Sequence, residues 1–157
     1  MRQTIVVPAL LLGLACGGER GAQPSSRPAA APPAAAPVAP AATGTVHEVK
    51  MQMVKNKYSF EPAAITIKVG DTVKWINFSG GPHNVSFKKD RVPAGALAVL
   101  NASMPNRMQG QEATGPFLTD SLATYQVSFV NAPAGTYTYT CQPHEMLGMN
   151  GTITVQP

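Results

Sequence analysis

Residues 141–151, CQPHEMLGMNG, bring several metal-binding side chains into one short segment near the end of the chain. Two residues separate Cys141 from His144, and Met149 follows five positions after His144. A further histidine, His83, lies well upstream in GGPHNVSF. Two imidazoles and one thiolate with a weak axial thioether are the ligand set of an electron-transfer copper site. The pattern therefore predicts one copper ion bound by these four side chains.

Other metal chemistry fits the composition less well. Structural zinc prefers cysteine and histidine without a thioether, so Met149 favours a softer ion. The chain has three histidines in all, too few for the further copper cluster of a multicopper enzyme. It also lacks the C-x-x-C-H motif of haem attachment. We expect an electron carrier and not an enzyme. The alternative is an exported copper-binding protein that stores or delivers copper without redox turnover.

The elements that must position these side chains are strands. Repeated period-two alternation, bounded by turn residues, predicts an all-β fold, an antiparallel sandwich or barrel. Gly70-Asp71 is expected to turn the chain so that TVKWIN returns beside ITIKVG. The apolar faces of the predicted strands carry Ile65, Ile67 and Val69, then Val73 and Trp75, then Tyr125, Val127 and Phe129, then Tyr137, Tyr139 and Cys141, and finally Ile153 and Val155.

The predicted strands explain how the ligands meet. A strand that ends at Cys141 delivers the thiolate to one end of the sandwich. Pro143 and Gly148 favour a turn that directs His144 and Met149 to the same point. His83 arrives from a neighbouring strand and ties the loop to the scaffold.

Lys88 to Asp120 interrupts the strand pattern. PAGALAVLNASM predicts one or two helical turns around Leu97, Val99 and Leu100, and the rest is rich in Gly, Pro and Asn. We interpret this segment as a long, partly helical excursion between strands, more a functional flap than part of the core.

The motifs PHNV and GTYTYTCQPHEMLGMNGTITV resemble the plastocyanin and azurin family of blue copper proteins, the cupredoxins. The C-x-x-H-x-x-x-x-M spacing is similar to that of plastocyanin and pseudoazurin, and the likeness covers most of residues 46–157. It implies a Greek-key β-sandwich with one copper ion and an electron-transfer function. By position, His83, Cys141 and His144 would be equatorial ligands, and Met149 the axial one.

The resemblance also assigns roles to neighbouring residues. The backbone amide of Asn84 would donate a hydrogen bond to the cysteine sulfur, whereas Pro143 has no amide hydrogen to give a second. The edge of the His144 ring would reach the surface in an apolar docking patch formed by Pro143, Met146 and Leu147. Glu145 would add a single charge there.

Two alternatives remain open. One concerns the axial ligand, and the other concerns the third histidine, His47. Met146 lies nearer His144 in sequence than Met149 and could compete as axial ligand. His47, Met51 and Met53 would share one face of an early strand, which weakly suggests a second soft-metal site. Core packing is the simpler explanation for that group.

The N-terminal region predicts export. Residues 1–16 form a lipoprotein-type signal sequence, because a short apolar run is followed by LLGLAC, with Cys16 as the lipidation site. Ordinary cleavage after Ala15 is the alternative. Residues 17–44 form a disordered Ala/Pro-rich linker, and residues 45–157 form the cupredoxin domain. We therefore expect a periplasmic or other extracytoplasmic protein, anchored to a membrane through lipid.

Charge gives little guidance about partners. Nine Lys and Arg against seven Asp and Glu in residues 45–157 leave a net charge of +2. There is no basic stripe interleaved with aromatic residues, so nucleic-acid binding is not expected. The expected partners are a redox donor and a redox acceptor that bind transiently to a monomer.

Overall fold

The computed structural model describes residues 44–157, which form a sandwich of two four-stranded sheets. The predicted signal sequence, Cys16 and all of the linker except its last residue lie outside the described residues. The strands are β1 (Val46–Val54), β2 (Lys57–Glu61), β3 (Ala64–Lys68), β4 (Thr72–Asn77), β5 (Ser86–Phe87), β6 (Thr124–Ser128), β7 (Gly135–Thr140) and β8 (Asn150–Gln156). The helices are α1 (Ala96–Ser103) and two 3-10 helices, Lys89–Arg91 and Gln142–Leu147.

Each sheet mixes parallel and antiparallel pairs. The first sheet has the order β2-β1-β4-β6 and the second has the order β3-β8-β7-β5. The pairs β1/β4 and β3/β8 are parallel, and the other pairs are antiparallel. The predicted β-sandwich is therefore confirmed, but the expectation of purely antiparallel sheets is wrong. Connections that cross between the sheets bring distant strands side by side in the same direction.

The turn at Gly70-Asp71 joins the two sheets and does not close a hairpin. The backbone N–H of Asp71 donates to Lys68 O (3.1 Å), so the chain does turn there. However, β3 pairs with β8, and β4 pairs with β1 and β6. The prediction that TVKWIN returns beside ITIKVG is wrong. Ile67 and Trp75 nevertheless share one core, because their sheets face each other.

The core between the sheets is rich in aromatic side chains. The alternation predicted for β6, β7 and β8 is confirmed, since its apolar positions are all buried. Trp75 of one sheet meets Tyr139 of the other edge-to-face, with ring centroids 5.4 Å apart. Phe60 packs against the same Tyr139 ring at 4.7 Å. Because Tyr139 lies two residues before Cys141, this packing fixes the end of β7 that leads to the candidate ligands.

The excursion between β5 and β6 contributes to the core. Helix α1 confirms the predicted helical turns. Its Ala96 and Leu100 are fully buried, however, and Leu118 further along is also buried. The interpretation of Lys88 to Asp120 as more flap than core is therefore wrong, because the apolar face of α1 closes one side of the sandwich. Within residues 44–157, no helix has the length and apolar character needed to cross a membrane.

Asp71 joins the first residues of the domain to the turn between β3 and β4. Its Oδ1 accepts a hydrogen bond from the backbone N–H of Thr45 (2.8 Å). Its Oδ2 accepts from the backbone N–H of Lys68 and lies 2.9 Å from His47 Nε2. These contacts, led by the Lys68 N–H, lower the pKa of Asp71 against the opposing effect of burial.

The structure gives no support to a second soft-metal site on β1. His47 contacts Asp71, Met51 is fully buried in the core, and Met53 is partly exposed near the other end of the strand. Along a strand, each residue adds about 3.3 Å, so His47 and Met53 are far apart although they share a face. Core packing accounts for Met51.

We predict that Asp71→Asn lowers the stability of the domain by about 1–3 kcal/mol at neutral pH, because an amide nitrogen would oppose one of the two backbone donors. A carboxylate whose pKa is lowered by folding stabilises the protein above its unfolded pKa, and this stabilisation is lost as the pH falls through the folded pKa. Urea unfolding at pH 7 and in the acid range should show the wild-type advantage only at the higher pH. Asp90→Asn at an exposed site is the control, and an equal effect of both substitutions would contradict the prediction.

Candidate metal centre

Three predicted ligands meet at one end of the sandwich. His83 Nδ1 lies 3.5 Å from Cys141 Sγ, and His144 Nδ1 lies 3.4 Å from the same sulfur. The ligating atoms of the three residues all lie within 4.8 Å of one another. His83 and Cys141 are fully buried, and His144 is 8% exposed. Residues distant in the sequence thus place three nitrogen and sulfur donors around a single point.

The loop from Cys141 to Met149 is closed by its own backbone. Cys141 follows β7 directly, and the 3-10 helix Gln142–Leu147 has a proline in its first turn. Gly148 has a φ of +81°, a left-handed conformation that costs glycine little. It reverses the chain, so that the N–H of Met149 donates to His144 O (3.1 Å) and Met149 O accepts from the N–H of Cys141 (3.1 Å). The predicted turning role of Gly148 agrees with this geometry.

His83 is held from both sides. Its backbone pairs with Leu118 through hydrogen bonds of 3.2 and 2.8 Å. Its ring Nε2 lies 3.0 Å from the carbonyl oxygen of Ser79. Since a carbonyl oxygen only accepts, Nε2 carries the hydrogen and donates it, which leaves the lone pair of Nδ1 directed at Cys141. The ring is therefore oriented as a metal ligand requires.

The spacing of these donors fits a first-row metal ion. Bonds of about 2.0 Å to nitrogen and 2.3 Å to sulfur, at angles of about 110–120°, place the two donor atoms about 3.5–3.7 Å apart. The observed separations of 3.5 and 3.4 Å lie at or close to the lower end of that range. An ion could bind here with little rearrangement of the chain.

The two methionines of the loop differ sharply in exposure. Met149 is fully buried, whereas Met146 is 95% exposed. The hydrogen bonds of Met149 to the backbones of Cys141 and His144 keep it beside the three donors. Of the two candidates for a fourth ligand, Met149 is therefore the one that the fold keeps at the site.

Burial sets the protonation of all three donors. It lowers the pKa of His83, against the contact with the Ser79 carbonyl, and it lowers the pKa of His144 with help from the charge of His83. It raises the pKa of the Cys141 thiol, opposed by the backbone N–H groups of Asn84 and His144. At neutral pH the imidazoles are neutral and the thiol is protonated.

The surroundings of the sulfur include two backbone N–H groups, those of Asn84 and His144. The backbone N–H of Asn84 opposes the rise in the pKa of the Cys141 thiol. The backbone N–H of His144 donates to Cys141 O (3.0 Å). That the Asn84 N–H donates to the sulfur stays a prediction. Pro143, which has no N–H, cannot contribute. Sequence reasoning missed the hydrogen bond from His144 N to Cys141 O because nothing in the motif shows how tightly the 3-10 helix turns back on the cysteine.

Tyr58 is a neighbour of the site that the sequence did not reveal. Its ring stacks on that of His144, with centroids 3.7 Å apart and planes 11° from parallel. It lies in β2, two residues before the buried Phe60, and the alternation of that strand places both side chains on one face. The stack covers one face of the His144 imidazole, a residue that is only 8% exposed.

Comparisons with known proteins agree with this geometry. Residues 47–156 match the family model described as "Copper binding proteins, plastocyanin/azurin family". The chain is 42% identical over 108 residues to plastocyanin of Scenedesmus fuscus, covering 69% of this chain and 97% of that protein. It is 37% identical over 120 residues to plastocyanin of Nostoc punctiforme, covering 74% of this chain and 78% of that protein. The oxidised plastocyanin of Dryopteris crassirhizoma aligns with a TM-score of 0.52 and 25% identity, covering 70% and 100% of the two chains.

We predict that each metal ion that binds releases about one proton at neutral pH, because the thiol must ionise while the imidazoles are already neutral. The apparent affinity should then rise about tenfold per pH unit until the thiol titrates. Titration of the metal-free protein with Cu(II) in weakly buffered solution, repeated with redox-silent Zn(II), measures the released proton. Cys141→Ser should release none. Two or more protons per ion would mean that the histidines are charged in the free protein.

Proposed function

Because the chain belongs to the plastocyanin/azurin family of copper-binding proteins, we propose that it carries single electrons between redox proteins through one type 1 copper ion. The observation that carries this proposal is the convergence of His83, Cys141 and His144 on one buried point. These three residues are proposed as equatorial ligands, and the buried Met149 as the weak axial ligand. When bound, copper supplies a one-electron couple.

The chain holds the ligands in a fixed frame. His83 is fixed by Leu118 and Ser79, and Cys141 is fixed at the end of a strand whose aromatic residues pack in the core. The closed loop keeps Met149 beside them. Ligands that stay in place in both oxidation states reduce the rearrangement that accompanies electron transfer. Burial also keeps water away from the sulfur.

Copper storage or delivery without redox turnover is the less favoured function. A delivery protein must hand its ion to a partner through exposed ligands. In the part of the chain that the structure describes, the ligating atoms of His83 and Cys141 are fully covered, and His144 is almost so. The family relationship also supports an electron carrier and not an enzyme.

The proposed docking surface surrounds the exposed edge of His144. Pro143 is exposed, Leu147 is 60% exposed and Met146 is 95% exposed, so three apolar side chains form a patch beside the ring. A small apolar contact suits brief association, because it brings two redox centres close without the slow dissociation of a large interface. A redox donor and a redox acceptor would use this patch in turn.

The charge of Glu145 is not free at this surface. Its carboxylate forms an ion pair with Lys88, and Arg91 lies 3.9 Å from the same oxygen. The expectation from the sequence was that Glu145 would add a single charge at this surface. Since two cations face it, its contribution to the field at the patch is largely compensated.

We predict that the Cu(II) form is intensely blue or green because of thiolate-to-copper charge transfer. Cys141→Ser should abolish the visible band. Met149→Leu should keep a coloured site with a changed reduction potential, because the axial bond is weak. Absorption spectroscopy and voltammetry measure both, with Met146→Leu as the matched control. A folded, copper-loaded protein without a strong visible band would refute the proposed function.

We predict that Leu147→Lys slows electron transfer to a redox partner severalfold, since a charge in the apolar patch opposes close contact. The visible spectrum should not change. Val46→Lys is the matched control, because Val46 is 52% exposed and lies at the opposite end of the sandwich. Equal stopped-flow transfer rates for the two variants would place the docking surface elsewhere, with the excursion between Lys88 and Asp120 as the next surface to test.

We propose that Cys16 is the first residue of the mature protein and carries lipid, which would place the domain outside the cytoplasm on a membrane. The support is the sequence LLGLAC followed by an Ala/Pro-rich segment. Mass spectrometry of the protein isolated from its native membrane should show an acylated N-terminal cysteine. A soluble mature chain with an unmodified N-terminus would refute the anchor and leave the copper site unaffected.

A further inference from the structure

A short segment of the excursion returns to the metal centre. Residues 108–115, called the strap below, run beside the strand that leads away from His83. Gly115 N donates to Val85 O (2.9 Å), and Ala113 O accepts from the N–H of Phe87 (2.9 Å). The strap is therefore held to the scaffold by main-chain hydrogen bonds, close to two of the proposed ligands.

A chain of three side-chain amides connects the strap to both ligand segments. Gln142 Nε2 donates to Gln111 Oε1 (2.6 Å), and Asn84 Nδ2 donates to Gln142 Oε1 (2.8 Å). The backbone N–H of Gln142 donates to Asn84 Oδ1 (2.9 Å). Asn84 directly follows His83, and Gln142 directly follows Cys141. The amides thus join the two chain segments that bring the remote histidine and the cysteine together.

Gln111 determines the orientation of the side-chain amide of Gln142, which lies between those of Gln111 and Asn84. An amide side chain has one acceptor end and one donor end, and exchanging them would place the NH₂ of Gln142 against the NH₂ of Asn84. Gln111 Oε1 accepts from Gln142 Nε2. This contact favours the orientation in which Gln142 Oε1 faces the Nδ2 group of Asn84. Gln111 is itself oriented within the strap, since its N–H donates to Met108 O (3.2 Å) and its Nε2 lies 3.9 Å from Met108 Sδ.

We propose that Gln111 is a positioning residue for the copper centre. Through Gln142 it holds Asn84 in place, and these two residues directly follow the proposed ligands Cys141 and His83. The positions of the ligands and the groups packed around a ligating sulfur tune the reduction potential of a copper site, so a shift of either segment should change it. The inference rests on the proposed electron-transfer function only in this last step.

The first test uses the metal-free protein and does not depend on copper. Gln111→Ala should speed amide hydrogen exchange at Gln142 and Asn84 severalfold, measured residue by residue by NMR. Gln111→Glu keeps an oxygen acceptor for Gln142 and should retain most of the protection. Gln109→Ala, an exposed glutamine of the same strap, is the control. Equal exchange in the Gln111→Ala and Gln109→Ala proteins would overturn the proposal.

The second test measures the copper-loaded protein. Gln111→Ala should shift the reduction potential, changing the ratio of oxidised to reduced protein at a fixed ambient potential roughly threefold or more, with Gln109→Ala unchanged. Faster exchange with an unchanged potential would overturn the positioning role. If the loaded protein showed no redox couple, the proposed function would fail, and the exchange measurements would still decide whether Gln111 secures the two segments.

Discussion

The closure of the loop between β7 and β8 is the constraint on which the metal centre depends. Two backbone hydrogen bonds, from Cys141 N to Met149 O and from Met149 N to His144 O, determine the path of the whole segment. They leave the side chains of all three residues at one end of the sandwich. Only His83 must then be supplied from elsewhere. It lies three residues before β5, and β5 pairs with β7, the strand that leads to Cys141.

The core makes this closure rigid. Tyr139, two residues before the cysteine, contacts Trp75 and Phe60 of the opposite sheet. The end of β7 therefore cannot shift without disturbing packing across the sandwich, and close-packed interiors resist such shifts. The excursion adds a second support, because its helix is buried against the sandwich and its strap reaches the loop through Gln111. The centre is thus held from both sides by elements remote in sequence.

The sequence predicts the local part of this arrangement well. The spacing of Cys141, His144 and Met149 lies within one loop, and period-two alternation marks the buried positions of β6 to β8. Alternation shows which face of a strand is apolar but not which strand lies beside it. The parallel pairs and the separation of β3 from β4 therefore could not be read from it. The contacts of Tyr58 and Gln111 with the ligand loop could not be predicted from the sequence either, because each joins residues far apart in the chain.

The position of Gly44 shows at which end of the sandwich the chain enters the domain. Gly44 lies against Gly70 and Asp71, at the end of the sandwich where the parallel strands β1 and β4 begin. Both strands run from there toward the end that carries His83. Any attachment made through the preceding chain would therefore enter at the end of the sandwich opposite the candidate metal centre.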